Sequence, residues 1–217
     1  MELQDAINQR HSIRQFTDKP VEKKIITKIV ELAQRAPSWV NSQPWQVYCA
    51  MGDTLQEIKN AYRDQDIAGN QGNSDLPVMS REDWAPQTQD NMKQWRHGIV
   101  HHFANFDEAH EKMTNASNTL YDSPVILYIT IPKASPDWSI FDADLFAENI
   151  MLAATAYGLG TIPTYNSVRF PAILHQILDV PDDERFIVGI SLGYSADTTI
   201  NSYHSERRPV NEILHFN

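Results

Sequence analysis

Apolar residues recur along most of the chain in two patterns, helical spacing and short unbroken runs. In residues 21–35, Ile25, Ile29 and Ala33 fall on one face, and Pro37 ends the predicted helix. The spacing predicts further helices over 2–9, 141–157 and 170–178, and two helical pieces over 88–117. The unbroken runs predict buried strands over 45–51, 124–132, 161–164 and 185–192. This irregular alternation indicates one α/β or α+β domain over residues 1–217.

Three other stretches have their own character. Thr54 and Glu57 have the spacing of a capping box, which predicts a helix starting there and running to about residue 66. Residues 68–87 are polar and rich in turn formers, which indicates a long surface loop. With the helices that follow it, this region of about 68–118 is a candidate lid or substrate loop. Residues 197–217 are polar until Ile213–Phe216, which predicts a C-terminal arm whose apolar end docks on another surface, either of this chain or of a partner subunit.

Charge and composition narrow the class of protein. The chain has 18 Lys and Arg against 28 Asp and Glu, a net charge of −10, which disfavours nucleic acid and anionic lipid as partners. The most apolar helical stretch, 145–159, contains Glu148 and is too short to span a membrane. Without an apolar leader, we expect a cytoplasmic protein. The single cysteine, Cys49, excludes an intrachain disulfide and is expected in the core of its strand.

Several familiar chemistries lack their motifs. His97, His101 and His102 invite a metal site, but no carboxylate accompanies them, so we expect none. Gly158-Leu159-Gly160 lacks the third glycine of a dinucleotide fingerprint and is better explained as the end of a helix. There is no phosphate loop with Lys-Ser/Thr and no Gly-x-Ser-x-Gly nucleophile turn.

Two arginine clusters are candidates for binding phosphate. Arg10-His11-Ser12-Ile13-Arg14 follows the first helix and carries two guanidinium groups and a hydroxyl, which match phosphate oxygens. Near the end of the chain, Glu206-Arg207-Arg208-Pro209 offers a second contact. For both clusters, solvated surface charge is the alternative.

A third cluster has the composition of a pocket for a planar ring. Residues 36–45, APSWVNSQPW, combine prolines that fix the backbone with short polar side chains and two tryptophans. A rigid connection between a helix and a strand is the equally open alternative.

Taken in order, these segments resemble the FMN-dependent nitroreductase family. The resemblance rests on five features: Arg10, Ser12 and Arg14; the Ala-Pro-Ser-x-x-Asn-x-Gln-Pro-Trp loop of 36–45; the Gly-Leu-Gly helix end; Gly193-Tyr194; and Arg207-Arg208-Pro209. Residues 84–96 and Tyr121-Asp122-Ser123-Pro124 look most like the branch that includes nitrobenzoate reductases. One position departs from the pattern, because Ser205 stands where many relatives have a lysine, and His204 beside it is a partial substitute.

The resemblance implies an α+β fold with a mixed, mostly antiparallel sheet flanked by helices, in an intertwined homodimer with FMN at the subunit interface. It implies that the FMN phosphate is bound by Arg10, Ser12 and Arg207, with His11 and Arg14 close to the same end. The loop that lines the ring or ribityl chain would come from the other subunit, with Pro37, Ser38, Trp39 and Asn41. The flavin ring would lie along Pro163, Thr164, Tyr165 and Asn166.

The implied activity is ping-pong hydride transfer from NADH or NADPH through FMN to nitroaromatic or similar planar, electron-poor small molecules. No catalytic side chain is then required. Trp39, Trp84 and Trp95 are candidate walls of the substrate site, with core or dimer packing as the alternative for each. Other readings remain open: a flavin-binding or storage protein without turnover, a quinone or enone reductase on the same scaffold, or a binding domain without flavin.

Overall fold

A computed structural model describes all 217 residues and places one antiparallel sheet at the centre of the chain. Its strands, in the spatial order β1-β2-β4-β3, are β1 (Gln46–Met51), β2 (Val125–Pro132), β4 (Glu184–Gly193) and β3 (Gly160–Thr164). Eight helices surround it: α1 (Leu3–Gln9), α2 (Lys23–Ala33), α3 (Gly52–Ile67), α4 (Pro86–His101), α5 (Phe106–Asn118), α6 (Asp137–Ala156), α7 (Pro171–Leu178) and α8 (Thr199–Ser202). The predicted α+β class and antiparallel sheet are confirmed.

The central strand β2 is buried on both faces, which explains its unbroken apolar run. Leu127 and Ile129 point into a large cluster shared with α2 and α6. Ile126 and Tyr128 point the other way, into a second cluster shared with α3 and α7. Each of these side chains contributes roughly 1.5–3 kcal/mol by leaving water. The sheet is therefore the middle of three layers, with helices on each side.

The first strand departs from its prediction. β1 pairs with β2 alone, so it is an edge strand, and of its six residues Ala50 is the buried one. Cys49 is exposed, so its prediction as a core residue was wrong. The capping box was also wrong, because α3 begins at Gly52, with φ +57, and neither Thr54 nor Glu57 caps it.

Residues 68–85 are irregular, as predicted, but the first part of this stretch is fixed to the body of the protein. The amide of Asn73 donates to the carbonyl of Arg169 (2.8 Å), and Asp75 accepts from the amide of Phe186 (2.8 Å). The later part exposes apolar side chains, with Val78 at 66% and Met79 at 56%. The predicted lid or substrate loop over about 68–118 therefore stays a prediction, and its first part is attached to the body of the protein.

The two helical pieces predicted for 88–117 are α4 and α5, which pack on one another around Ile99, Phe103 and Ala109. Ile200 of α8 completes this small cluster. The tail beyond it ends in exposed apolar residues, with Ile213 at 60% and Phe216 at 90%. None of the eight helices is both long and apolar enough to cross a lipid bilayer.

Candidate functional site

The Arg10–Arg14 segment lies along the outer edge of β3. The Ile13 amide donates to the carbonyl of Thr161 at 3.0 Å, and Ser12 forms a parallel bridge with Thr161. Ile13 is 3% exposed and anchors the segment. A Cβ on Gly160 would lie 2.5 Å from Ile13 Cγ1, so a glycine is required for this close approach. The predicted helix-ending role of Gly160 is therefore replaced by a packing role, while Gly158, with φ +74, ends α6.

Asn201 of α8, which the sequence did not single out, holds the same segment from the other side. Its buried Oδ1 accepts from the amides of Arg14 (2.7 Å) and Gln15 (3.1 Å). Its Nδ2 donates to the carbonyls of Gln15 (2.6 Å) and Ala196 (2.8 Å). One amide side chain thus fixes the backbone of the motif, a pairing that no local sequence pattern announces.

Arg14 is enclosed rather than free. Its guanidinium lies 5.9 Å from the centre of the Trp95 ring and donates to the carbonyl of Ser12 (3.2 Å). Burial lowers the pKa of Arg14, and the nearby Tyr121 and Tyr203 act in the opposite direction. Arg14 remains a cation at physiological pH, held in an aromatic surrounding that fixes its direction.

Arg10 and Arg207 keep more of their donors available. Arg10 uses Nε to contact Glu148 of α6 at 3.3 Å. Arg207 is exposed, contacts no carboxylate, and donates to the carbonyl (2.9 Å) and hydroxyl (2.7 Å) of Ser205. The tail is brought to the motif by His204, whose ring centre lies 3.9 Å from that of His11. The segment of Arg10 and the tail of Arg207 are thus brought together, and Arg207 is paired with no carboxylate.

The Pro37–Trp45 loop folds as a compact turn. Trp39–Asn41 form one 3-10 turn, and Ser38 Oγ accepts from the amide of Gln43 at 3.0 Å. Trp39 is 60% exposed and its ring centre lies 5.4 Å from that of Trp138 on α6. Trp45, in contrast, is buried and stacked on Phe146, so the second tryptophan of the loop serves the core and not a pocket.

The Pro163–Asn166 segment closes β3. Thr164 is buried and its hydroxyl is paired with that of Ser167 at 2.6 Å. The Asn166 amide donates to the carbonyl of Ser117. Pro163 and Tyr165 are exposed, so two of the four predicted residues present their side chains to solvent.

The three candidate substrate tryptophans have different environments. Trp39 is open to solvent, and Trp84 is 40% exposed, its Nε1 donating to the carbonyl of Met79 at 3.4 Å. Trp95 is half-buried among the apolar residues of α4 and α5 and against Arg14. Trp95 therefore packs within the chain, which was the alternative to a role as a wall of the substrate site.

The histidines of α4 engage one another and the tail. The rings of His97 and His101 lie 3.9 Å apart, and His102 hydrogen-bonds the hydroxyl of Ser202 at 2.9 Å.

Within one chain, the two main halves of the predicted cofactor site stay separate. Arg10 contacts α6 at Glu148, whereas the Trp39 loop contacts α6 six residues earlier, roughly 9 Å along the axis. Two surface depressions, of about 420 and 300 Å³, lie elsewhere and include none of the predicted cofactor residues. A single chain therefore offers two partial surfaces that meet different turns of α6.

The fold is that of an α+β protein whose N-terminal segment and tail, each carrying arginines, meet at His11 and His204. A model of the nitroreductase family matches residues 7–194, and the chain belongs to that family.

Named relatives agree in length and differ widely in sequence. The chain is 28% identical over 215 residues to a 4-nitrobenzoate reductase of Pseudomonas putida, covering 97% of this chain and 93% of that one. It is 29% identical to a nitrobenzene nitroreductase of Ectopseudomonas oleovorans, covering 89% and 86%. The FMN and NADPH-dependent nitroreductase NfnB from sphigopyxis sp. strain HMH has the same fold, with a TM-score of 0.91 at 21% identity over 100% of this chain and 99% of that one.

Proposed function

We propose that this protein is an FMN-dependent oxidoreductase that carries a hydride from NADH or NADPH to nitroaromatic or similar planar, electron-poor acceptors. Membership of the nitroreductase family supports the class, and relatives named for nitrobenzoate and nitrobenzene reduction support the substrate. The observation that carries the cofactor is the contact of His204 with His11, which brings the tail that carries Arg207 to the segment that carries Arg10 and Ser12, in a chain of net charge −10.

The chemistry of this donor set fits a phosphate monoester. Arg207 contacts no carboxylate, and Arg10 contacts Glu148 through Nε, which leaves its two terminal nitrogens to donate. Guanidinium groups pair with phosphate oxygens in bidentate geometry, and the Ser12 hydroxyl adds a neutral donor. We assign the phosphate to Arg10, Ser12 and Arg207, with His11 and Arg14 at the same end.

The rest of the site needs a second copy of the chain. We propose a homodimer in which the partner supplies Pro37, Ser38, Trp39 and Asn41. The separation of the two partial surfaces supports it, as does an exposed aromatic group formed by Trp39, Trp138 and Phe141. Apolar patches of this kind mark protein interfaces. The exposed tail end, Ile213 to Phe216, is proposed to wrap around the partner.

When bound, FMN supplies the hydride chemistry, accepting from the nicotinamide and giving to the acceptor in turn. The residues of the chain bind and orient. Pro163 and Tyr165, with the backbone of Thr164 and Asn166, border the ring, and Trp39 and Trp84 offer flat faces to a planar acceptor. Trp95 acts mainly by fixing Arg14. No proton-transferring side chain is assigned.

The test is an absorbance spectrum of the purified protein, soaked with FMN, before and after NADH or NADPH is added without oxygen. A bound flavin spectrum that bleaches, and returns on addition of 4-nitrobenzoate, is expected. A flavin that neither donor bleaches would support a binding or storage protein, and a protein that takes up no flavin would overturn the cofactor assignment. A panel of quinones and enones separates those acceptors from nitroaromatics. The cytoplasmic location and the single domain over 1–217 stay predictions.

A further inference from the structure

The Pro37–Trp45 loop is anchored to α6 by a buried carboxylate. Asp142 is 3% exposed, and its Oδ2 accepts from the amide of Trp39 at 3.0 Å. The same oxygen accepts from the hydroxyl of Ser42 at 3.4 Å. Both donors belong to the loop, and they flank the 3-10 turn at its two ends. One carboxylate oxygen on the longest helix therefore closes the turn.

The loop needs such an anchor because its backbone is strained. Val40, Asn41 and Gln43 have φ values of +50, +60 and +45, in the left-handed region that side chains other than glycine rarely adopt. Inside the loop, the amides of Asn41 and Ser42 donate to the carbonyls of Ser38 (3.0 Å) and Trp39 (2.9 Å), and the Gln43 amide donates to Ser38 Oγ (3.0 Å). These bonds close the turn on itself but do not attach it to the body of the protein. Val40 itself is 87% exposed, so packing does not hold it. The fixed partner outside the loop is Asp142.

We propose that Asp142 is a positioning residue for the cofactor site: by accepting from Trp39 and Ser42 it holds Ser38, Trp39 and Asn41 in the conformation that lines the flavin. This inference rests on the proposed function, because it assigns a purpose to the loop. Asp142 touches neither cofactor nor substrate in this scheme. It acts through the backbone of Trp39, and its negative charge strengthens both bonds beyond what a neutral acceptor gives.

The hydrogen bonds of Asp142 to the loop depend on its negative charge as well as on its shape. Replacing Asp142 by asparagine keeps one carbonyl oxygen of the same size but removes the charge. Replacing it by alanine removes both acceptors and leaves the Trp39 amide unpaired. We therefore expect a graded series, with wild type first, Asp142→Asn second and Asp142→Ala last. A matched control exists on the same helix, because Asp144 is an exposed carboxylate that makes no hydrogen bond.

The first experiment measures hydrogen exchange at the Trp39 amide in the flavin-free protein, followed by the dissociation constant of FMN from quenching of flavin fluorescence. In Asp142→Asn the Trp39 amide is expected to exchange faster and FMN to bind about tenfold more weakly, with a larger loss in Asp142→Ala. Asp144→Asn is expected to match wild type in both measurements. All variants are compared at a concentration where gel filtration gives the same size, and the unfolding temperature is recorded for each.

Three results would overturn the inference. The Trp39 amide could exchange at the wild-type rate in Asp142→Asn, which would remove the anchor. Exchange could quicken while the FMN dissociation constant stays the same, which would leave Asp142 a purely structural residue. A wild-type protein that binds no FMN would overturn the proposed function itself, and it would be recognised before any variant is made. If Asp142→Ala does not fold, the comparison of Asp142→Asn with Asp144→Asn decides.

Discussion

The imidazole of His204 stacks on that of His11, with ring centres 3.9 Å apart and planes inclined by 34°. The two residues come from the tail and from the first loop, so their contact joins the two arginine clusters. Burial lowers the pKa of His204, and the nearby His11 and His102 lower it further. His204 is thus neutral near pH 7, one position before the serine that replaces the lysine of many relatives.

The contact between His204 and His11 predicts that the free energy of unfolding of the flavin-free protein falls as the pH is lowered. Because the pKa of His204 is lowered on folding, the folded chain binds fewer protons than the unfolded chain between that lowered pKa and about 6.5. Stability contributed by neutral His204 is present above this window and is lost as the pH falls through it. Thermal unfolding at pH 7.5 and 5.5 should show the loss, and His204→Gln should show less of it.

Through His204, binding of FMN is expected to change the unfolding temperature with the opposite dependence on pH. A phosphate beside His204 favours the imidazolium, but the phosphate itself takes up a proton near pH 6, so wild type is compared with His204→Gln at each pH. FMN is expected to raise the unfolding temperature of wild type by more than that of His204→Gln at pH 5.5, and of both by similar amounts at pH 7.5. Equal increments in both proteins at pH 5.5 would mean that the phosphate does not sit near His204.

Removing Arg207 should weaken FMN binding without harming the fold. Its guanidinium hydrogen-bonds only Ser205 and Glu206, the two residues before it, so Arg207→Ala breaks no long-range hydrogen bond. The lost charge-assisted hydrogen bond is worth roughly 1.5–3 kcal/mol, or about one to two decades in the dissociation constant. Isothermal titration with FMN measures it. Arg208→Ala, which breaks a contact with Glu212, is the neighbouring control, and unchanged affinity in Arg207→Ala would remove that residue from the site.

Two glycines two positions apart should respond differently to alanine. At Gly160 the new Cβ would meet Ile13 Cγ1 at 2.5 Å and displace the Arg10–Arg14 segment, so a loss of about 1–3 kcal/mol is expected together with weaker FMN binding. At Gly158 nothing lies within 4 Å, and the cost of about 1–2 kcal/mol comes from φ +74 alone. Chemical unfolding and FMN titration separate them, since Gly158→Ala should bind FMN as wild type does. Equal FMN affinities in the two variants would contradict the packing role of Gly160.

Alanine substitutions of Trp45 and Trp39 in the Pro37–Trp45 loop should have different effects, the first on unfolding and the second on FMN or substrate binding. Trp45→Ala empties a buried site against Phe146 and is expected to cost about 3–5 kcal/mol of unfolding free energy. Trp39→Ala removes a ring that is exposed within one chain and lies in the proposed interface, so it is expected to cost less unfolding free energy than Trp45→Ala while it changes FMN affinity or the KM for the acceptor. Denaturant melts and steady-state kinetics on both variants decide, and a large destabilisation in Trp39→Ala would assign that ring to packing.

The parts of the fold that could be predicted are those in which local pattern and burial agree. β2 is buried at every position from Val125 to Ile131, all of them apolar or aromatic except Thr130, and is the strand buried on both faces. β1 carries a similar run, yet it lies at the edge, because the number of neighbours of a strand is decided by pairing far along the chain. The same holds for Cys49, whose exposure follows from that edge position. The Thr54 spacing failed because the left-handed Gly52 lets α3 begin earlier.

For the candidate site, the sequence supplied residue types and not their partners. Arg10, Ser12 and Arg207 were recognisable because phosphate chemistry favours them. Asn201 and Asp142 were not, since a single Asn or Asp in a helix matches no pattern until the fold shows which amide it faces. Trp95 was proposed as a substrate wall, and its contact with Arg14 depends on how α4 packs.

The bond between the Arg14 amide and Asn201 spans 187 residues, and it has a consequence for the order in which the protein is made. During synthesis the N-terminal motif emerges first, but Thr161 and Asn201, which hold it in place, are added near the end. Such distant contacts form late in folding. A nascent chain that stops short of α8 thus lacks the contacts of Asn201 that fix the backbone of Arg14 and Gln15. We therefore expect the Arg10–Arg14 segment to reach its final conformation only after nearly the whole message has been translated.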